Sequence, residues 1–214
     1  MLLVAVLSAW IHLLGTEIPK DKIYAKCDDP NNFTPKQKEV LLDAYRYAQK
    51  MGFGYILSAI AWQESCAGEY LVNFSDPSAG IFHAHIPVVI RQYTTLKNNA
   101  FNRNLIGQLL LQDSAFASKV ALDQLLFWNQ KYNGNKQKII KSYNKGTRWL
   151  KSPPHDAMAQ KYYEEVMEKI QKLQAFIPQA LLEPPPPKKP QESPKILDTI
   201  APKPKQEFYL LMEP

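Results

Sequence analysis

A single carboxylate near the end of an apolar helix is the group in this chain best suited to proton transfer. The residues from Ile56 to Ser65 form a largely apolar stretch in which Leu57, Ile60 and Glu64 share one helical face. A carboxyl group that is partly removed from water holds its proton more tightly, as a general acid must near neutral pH. The alternative is that Glu64 turns outward, as most helical glutamates do.

Two alternating histidines form a second candidate group. His83 and His85 lie two residues apart, so both side chains can point the same way, as metal ligands or as the lining of a groove. No third ligand accompanies them, and Cys27 and Cys66 lack the paired Cys-x-x-Cys spacing of a zinc site. We therefore expect a loop pair, with no metal and no cofactor.

The start of the chain predicts export. An apolar run of about 13 residues follows the initiator Met, which suits a signal peptide and is short for a membrane span of roughly 20. We expect residues 1–25 to be a signal peptide or a short membrane anchor and the protein to be exported to the periplasm, touching membrane only if this segment is retained. A buried first helix is the alternative. Export would favour a disulfide between Cys27 and Cys66, with two free thiols as the alternative.

Composition fits one basic globular domain. The chain has 214 residues, 45% of them hydrophobic, which is enough for one core but hardly for two. The formal charge of +6 suits an acidic polymer or surface, such as nucleic acid, cell wall or membrane. No run rich in Lys and Arg with interleaved aromatic residues is present, so no nucleic-acid partner is expected.

The elements that must position Glu64 are predicted to be helices around one core, in an all-α domain over residues 27–177. Apolar residues at helical spacing, with Gly and Pro at the ends, indicate helices at 35–51, 56–65, 87–96, 104–112, 114–132, 136–143 and 155–176. Residues 69–87 show no periodicity and predict a long loop.

The last part of the chain predicts a tail. Ten of the 17 prolines lie in residues 178–214. Such a segment cannot bury enough apolar surface to fold, so we expect a disordered, proline-rich tail. It is either a plain solvated extension or a spacer that binds a protein partner.

Three stretches carry a family resemblance when they are taken together. They are Ala59 to Ser65, Ser75 to Phe82, and Ser142 to Gly146 with Tyr162 to Val166 beyond it. In this order they resemble the lysozyme-like lytic transglycosylases of the soluble-lytic-transglycosylase (SLT) family. That family has Glu-Ser ending an apolar helix, a serine-containing loop leading to Gly-Leu-Met-Gln, an Ala-Tyr-Asn-Ala-Gly motif and a Tyr-Val pair in its last helix.

The resemblance implies a lysozyme-like domain with Glu64 as the catalytic residue. Tyr162 would hold the carboxylate of Glu64 through its hydroxyl group, and His83 stands where the family has glutamine. The positions that match substrate-binding positions of the family are Ser65, Ser78, Gly80, Ile81, Phe82, His83, Tyr143, Asn144 and Tyr162.

The implied activity is that of a peptidoglycan lytic transglycosylase, a lyase acting on cell-wall glycan strands. Glu64 would protonate the oxygen of the MurNAc-GlcNAc bond and then take the proton of the sugar's 6-hydroxyl, leaving a 1,6-anhydroMurNAc end. A second carboxylate, which most glycosidases need, is offered nearby only by Glu69 and Asp76. The alternatives are a hydrolytic lysozyme on the same scaffold and a wall-binding or scaffolding module without catalysis.

Several of these residues also have a purely structural explanation. Tyr143 can be a core tyrosine, and Gly146 can be a helix C-cap, although a cap leaves Asn144 unexplained. Trp128 and Trp149 can stack on sugar rings, but the position of Trp128 in an apolar helical stripe favours the core.

Overall fold

The computed structural model describes residues 27–182, and helices account for 72% of this part. The all-α prediction is therefore confirmed at the level of fold class. The predicted signal segment 1–25 and the tail from residue 183 onward lie outside the described residues. Within the described part, the α-helices are α1 (Pro35–Ala48), α2 (Gly54–Ser65), α3 (Ile86–Tyr93), α4 (Ala100–Gln112), α5 (Ser114–Lys131), α6 (Lys136–Lys145) and α7 (Pro153–Ala180).

Side-chain caps set the starts of four of these helices. The Thr34 hydroxyl accepts a hydrogen bond from the backbone N–H of Gln37, and the Gln37 side chain returns to the Thr34 N–H, which is a capping box. Asn99, Asp113 and Asn135 cap α4, α5 and α6 in the same way, each accepting from the third N–H of its helix.

Helix α2 lies at the centre of the domain. It is buried along nearly its whole length, including Trp62, and it packs between α1 and α7. Gly54 allows α1 and α2 to approach closely, because a Cβ there would lie 2.8 Å from the ring of Tyr45. The buried hydroxyl of Ser58 donates to the Leu41 carbonyl of α1 at 2.9 Å, so its polar group is satisfied within the core.

The segment predicted as a long loop contains a small antiparallel sheet. Strands β1 (Val72–Asn73), β2 (Ser78–Ala79) and β3 (Ala84–His85) pair in chain order, with Val72 opposite Ala79 and Ser78 opposite His85. Each strand has only two residues, so no alternation of apolar and polar residues was available to reveal it.

A disulfide joins the start of the described chain to the end of α2. Cys27 and Cys66 are bonded, with their Cα atoms 5.7 Å apart. The indole N–H of Trp62 donates to the Cys27 carbonyl at 2.7 Å, and the Gln37 amide donates to the Cys66 carbonyl at 2.9 Å. The residues before α1 are therefore fixed to the helix that carries Glu64.

Helix α7 continues beyond the predicted end of the domain. Residue 177 was the expected boundary, but the helix reaches Ala180 with Pro178 inside it. Ile177 is fully buried, so core packing retains the last turn although proline cannot donate a backbone hydrogen bond. Among the described residues, no helix is both long enough and apolar enough to cross a membrane.

Candidate active site

Glu64 lies near the end of α2, with its side chain 17% exposed. The hydroxyl of Tyr162, on α7, donates a hydrogen bond to Oε1 of Glu64 at 2.6 Å. The next residue back, Gln63, donates to Oε2 of Glu165 at 2.8 Å, so two consecutive α2 side chains are held by α7. The carboxylate is thus only partly exposed and is held by a hydrogen bond, so the alternative of an outward-turned glutamate does not apply.

His83 faces the other oxygen of the same carboxylate. Its Nδ1 lies 3.4 Å from Oε2 of Glu64, and its Nε2 lies 2.9 Å from the carbonyl oxygen of Tyr70. The residue has φ 44°, a left-handed conformation in which non-glycine residues are uncommon. His83 ends a turn that begins at Gly80, whose carbonyl accepts from the His83 N–H at 3.1 Å. The turn between β2 and β3 therefore aims the imidazole at Glu64.

Buried side chains of α2 and α6 donate hydrogen bonds to the backbone of the same turn. The Ser65 hydroxyl donates to the Ile81 carbonyl at 2.7 Å, and the Tyr143 hydroxyl donates to the Phe82 carbonyl at 3.2 Å. Gly80 is required here, since its φ is 83° and a Cβ would lie 2.6 Å from the Leu110 carbonyl. These contacts tie the turn to α2, α4 and α6.

A cleft of about 610 Å³ opens above Glu64. Helices α2, α3, α5 and α6 and the small sheet all contribute to its walls. The lining residues are Glu64, Asn73, Ser75, Asp76, Ser78, His83, His85, Val88, Arg91, Gln124, Tyr143, Asn144, Lys145, Gly146, Thr147 and Arg148.

The electrostatics differ along the cleft. Burial lowers the pKa of His83, but hydrogen bonds to Glu64 and the Tyr70 carbonyl and the charges of Glu64 and Asp76 outweigh burial and raise the pKa overall. Burial also raises the pKa of Tyr143 and of Tyr162 far above the usual range, and the charge of Glu64 adds to this effect. Both phenols are therefore neutral hydrogen-bond donors.

The pKa of His85 moves in the opposite direction. Burial lowers it; Asp76 opposes the shift, and the charges of Arg91, Arg148 and Arg103 add to it. His83 and His85, which the sequence pairs as possible metal ligands, thus occupy different electrostatic surroundings. No group of three or more His, Cys, Asp or Glu side chains suited to a metal ion occurs in residues 27–182.

The predicted binding residues divide into two groups. Ser78, His83, Tyr143 and Asn144 line the cleft, and Tyr162 contacts the carboxylate beneath it. Ser65 does not line the cleft; it is fully buried, and its hydroxyl contacts only backbone atoms.

The other three predicted binding positions are also absent from the cleft wall. Gly80 and Phe82 are buried, and Ile81 packs against the core, while the carbonyls of Ile81 and Phe82 are occupied by internal hydrogen bonds. Their binding role is replaced by a structural one, because the turn exposes only His83 to the cleft.

The structure also shows where Trp128, Trp149 and Gly146 lie. Trp128 is fully buried, in agreement with a core position. Trp149 donates its indole N–H to the Ser142 hydroxyl at 2.8 Å and lies under the ammonium group of Lys141. Gly146 has φ 58° and donates to the Ser142 carbonyl at the end of α6, so it is a helix cap that also lines the cleft.

Sequence reasoning missed the basic side of the cleft. Arg91, Lys145 and Arg148 come from α3, the end of α6 and the segment after α6, and no local pattern connects them. The excess positive charge of the chain was the one available signal. Thr147 lies among them, 5% exposed, and its hydroxyl has no hydrogen-bond partner in the described part of the chain.

Comparisons with known proteins leave the site without an assigned function. No family model matches the chain, and no solved structure matches it. A curated protein of Enterobacteria phage T4, an uncharacterized 20.7 kDa protein in the vs-regB intergenic region, is 29% identical over 126 residues. The match covers 58% of this chain and 65% of the phage protein, so the chain spans just under two thirds of that relative's length. The function must therefore be argued from the geometry of the site.

Proposed function

We propose that this protein is a peptidoglycan lytic transglycosylase with a lysozyme-like domain. The observation that carries the proposal is a single partly buried carboxylate, Glu64, at the base of a cleft, with a phenol donating to it at 2.6 Å. Tyr162 was expected in this position from the family resemblance alone, 98 residues away in the sequence. The turn that ends at His83 also reaches this carboxylate, with Nδ1 of His83 at 3.4 Å from Oε2 of Glu64.

The chemistry requires one acid that becomes a base. The protonated Glu64 carboxyl gives its proton to the glycosidic oxygen as the bond from C1 breaks, and the 2-acetamido group assists at C1. The carboxylate then accepts the 6-hydroxyl proton as O6 bonds to C1, which closes the 1,6-anhydro ring and restores the acid. Tyr162 donates to Oε1 throughout, so it stabilises the carboxylate without taking its proton.

The basic side of the cleft supports a wall polymer as the substrate. Stem peptides on MurNAc carry carboxylates, and Arg91, Lys145 and Arg148 offer positive charge along one wall. Asn144 and Ser78 supply hydrogen-bonding groups for the sugar amides and hydroxyls.

A hydrolytic lysozyme is the second candidate, and one observation favours it. Asp76 lines the same cleft as Glu64, whereas Glu69 does not. A second carboxylate on the opposite side of the bond would let the enzyme activate water or stabilise a glycosyl intermediate. The product distinguishes the two reactions, because an anhydro end weighs one water less than a reducing end.

Substitution of the acid tests the proposal. Glu64→Gln should lower the turnover of purified peptidoglycan about 10²–10⁴-fold, the usual contribution of a general acid. The matched control is Glu69→Gln, an exposed carboxylate that does not line the cleft. Mass spectrometry of the wild-type products should show anhydroMurNAc ends.

Three results would contradict this assignment in different ways. Turnover that survives Glu64→Gln excludes Glu64 as the acid. Products with reducing ends alone establish hydrolysis instead. Binding of glycan by the wild type without any cleavage favours a wall-binding module. Export to the periplasm and a protein partner for the tail are part of the same proposal. Both rest on the sequence, because residues 1–25 and residues 183–214 lie outside the described structure.

A further inference from the structure

We infer that one proton lies between Nδ1 of His83 and Oε2 of Glu64, so that the two side chains act as one proton-carrying pair. The role of this pair in catalysis rests on the proposed function, but the shared proton itself does not. In the resembling family a glutamine, which does not titrate, occupies the position of His83. The inference therefore concerns a property particular to this chain.

The hydrogen-bond partners of the imidazole determine its tautomer. The carbonyl oxygen of Tyr70 can only accept, so Nε2, at 2.9 Å from it, must carry a hydrogen. A neutral ring has one N–H group, which leaves Nδ1 with a lone pair. This lone pair faces Oε2 of Glu64 at 3.4 Å, the long end of hydrogen-bonding distance. A lone pair cannot bond to a bare carboxylate, so the favourable states place a proton between the two atoms.

The surroundings retain this proton on the pair. The side chains of His83 and Glu64 are only 11% and 17% exposed, so water competes weakly for it. Oε1 of Glu64 is already occupied by the Tyr162 hydroxyl, which leaves Oε2 for the shared proton.

The charged groups that act on His83 are Glu64 from α2 and Asp76 from the loop between β1 and β2. Both raise the pKa of His83, against the lowering effect of burial. The phenols of Tyr143 on α6 and Tyr162 on α7 contribute no charge, because burial raises their pKa far above the usual range. Among the described residues, the charges that act on His83 are negative, although Arg91, Lys145 and Arg148 line the same cleft.

The pair with one proton has two forms, a neutral acid beside neutral imidazole and a carboxylate beside imidazolium. Acid catalysis proceeds from the first form, in which the proton on Oε2 passes to the leaving oxygen. The carboxylate then accepts the 6-hydroxyl proton on Oε2, the oxygen that faces the imidazole lone pair. That proton restores the starting form, so the cycle needs no exchange with solvent.

This arrangement predicts activity only while the pair carries one proton. With two protons, the imidazolium places a positive charge beside the sugar carbon at which positive charge develops. With none, Glu64 has no proton to give. The pH profile of kcat/KM should therefore be bell-shaped, with both limbs belonging to the pair.

Titration of the histidine rings by NMR tests the shared proton without any activity measurement. In the full-length protein, the neutral His83 ring should carry its hydrogen on Nε2. Glu64→Gln should lower the pKa of His83 by about one pH unit or more, because the opposite charge is lost and burial remains. His85 is an internal reference, since Glu64 is not among the charges that act on it. A hydrogen on Nδ1, or an unchanged His83 titration, would overturn the inference.

The catalytic role is tested by His83→Gln, which supplies the glutamine of the resembling family. The variant should lose the acid limb of the pH profile, because a lone carboxylic acid is competent at every pH below its own titration. Retention of both limbs would show that the limbs belong to other groups and would overturn the catalytic role of the pair. If the wild type cleaves no glycan, the proposed function fails, and the NMR titration still decides whether the proton is shared.

Discussion

The two sides of the cleft are built in different ways. On one side, helices α2, α6 and α7 supply Glu64, Tyr143 and Tyr162 from long elements that are buried along one face. On the other, strands of two residues supply His83 from a turn with left-handed residues at Gly80 and His83. The helical side holds its groups by side-chain packing, whereas the hairpin side holds them by backbone conformation.

Substitutions on the two sides of the cleft should therefore act in different ways. A change on the helical side can remove one hydrogen bond and leave the fold intact, because the surrounding helix contacts are unchanged. A change on the hairpin side acts on the backbone first and on the chemistry second.

Tyr162→Phe should lower turnover, though by less than Glu64→Gln. The variant removes the hydroxyl that donates to Oε1 of Glu64 at 2.6 Å and keeps the ring in the core. A hydrogen bond to a charged group is worth about 1.5–3 kcal/mol, so kcat should fall roughly tenfold to a hundredfold. Steady-state kinetics on solubilised peptidoglycan measure this change.

Tyr163→Phe is the matched control for that variant. Tyr163 is the neighbouring tyrosine of α7 and is only partly buried against the core. Equal losses in the two variants would mean that Tyr162 acts on the packing of α7 rather than on the carboxylate.

Gly80→Ala tests the hairpin side through stability. At φ 83° a side chain costs about 1–2 kcal/mol, and here the new Cβ would also lie 2.6 Å from the Leu110 carbonyl. Gly52→Ala is the control, because Gly52 has φ 78° with no atom within 4 Å of a Cβ. Urea unfolding should show that Gly80→Ala lowers the free energy of unfolding by about 1 kcal/mol more than Gly52→Ala does.

Similar losses of unfolding free energy in the two variants would contradict the role of close packing at Gly80. They would indicate that the turn can move away from α4, and that His83 is not fixed as firmly as the helical side of the cleft.

Arg148→Gln should give the smallest effect, at the basic wall. Arg148 is exposed, so loss of its attraction for a stem-peptide carboxylate is worth about 0.5–1 kcal/mol, a rise in KM of roughly two- to fivefold. The rise should vanish at high salt, with kcat unchanged. Lys151→Gln, an exposed cation three residues away that does not line the cleft, should leave KM unaltered. A salt-independent rise would point to packing instead of charge.

The helical side of the cleft could be predicted from the sequence better than the hairpin side. The positions of the helices and the face of α2 that carries Glu64 could be predicted because apolar spacing is a local signal. Helix ends are also local signals, as at Thr34 and Gly52. The contact between Glu64 and Tyr162 followed from motif order, not from any physical rule acting along the chain.

The hairpin side was not readable from sequence. Strands of two residues carry no period, and the conformation of His83 depends on contacts from Ser65, Tyr143 and Leu110 that become neighbours only in the folded domain. For the same reason, the sequence shows that Ser65 follows Glu64 but not that its hydroxyl turns inward to backbone carbonyls. The basic wall was missed because its three residues come from separate segments.

The connection of α2 to α7 has a consequence for how the site comes into being during synthesis. Gln63 and Glu64 find their partners 102 and 98 residues further along, in the last helix of the domain. A chain emerging from the ribosome thus carries its acid through 98 residues of synthesis without the phenol that orients it. Fragments that stop before α7 contain the Glu64 helix and all the residues that line the cleft, yet they lack that phenol. Assembly of the complete site is therefore a late event, tied to the docking of the C-terminal helix.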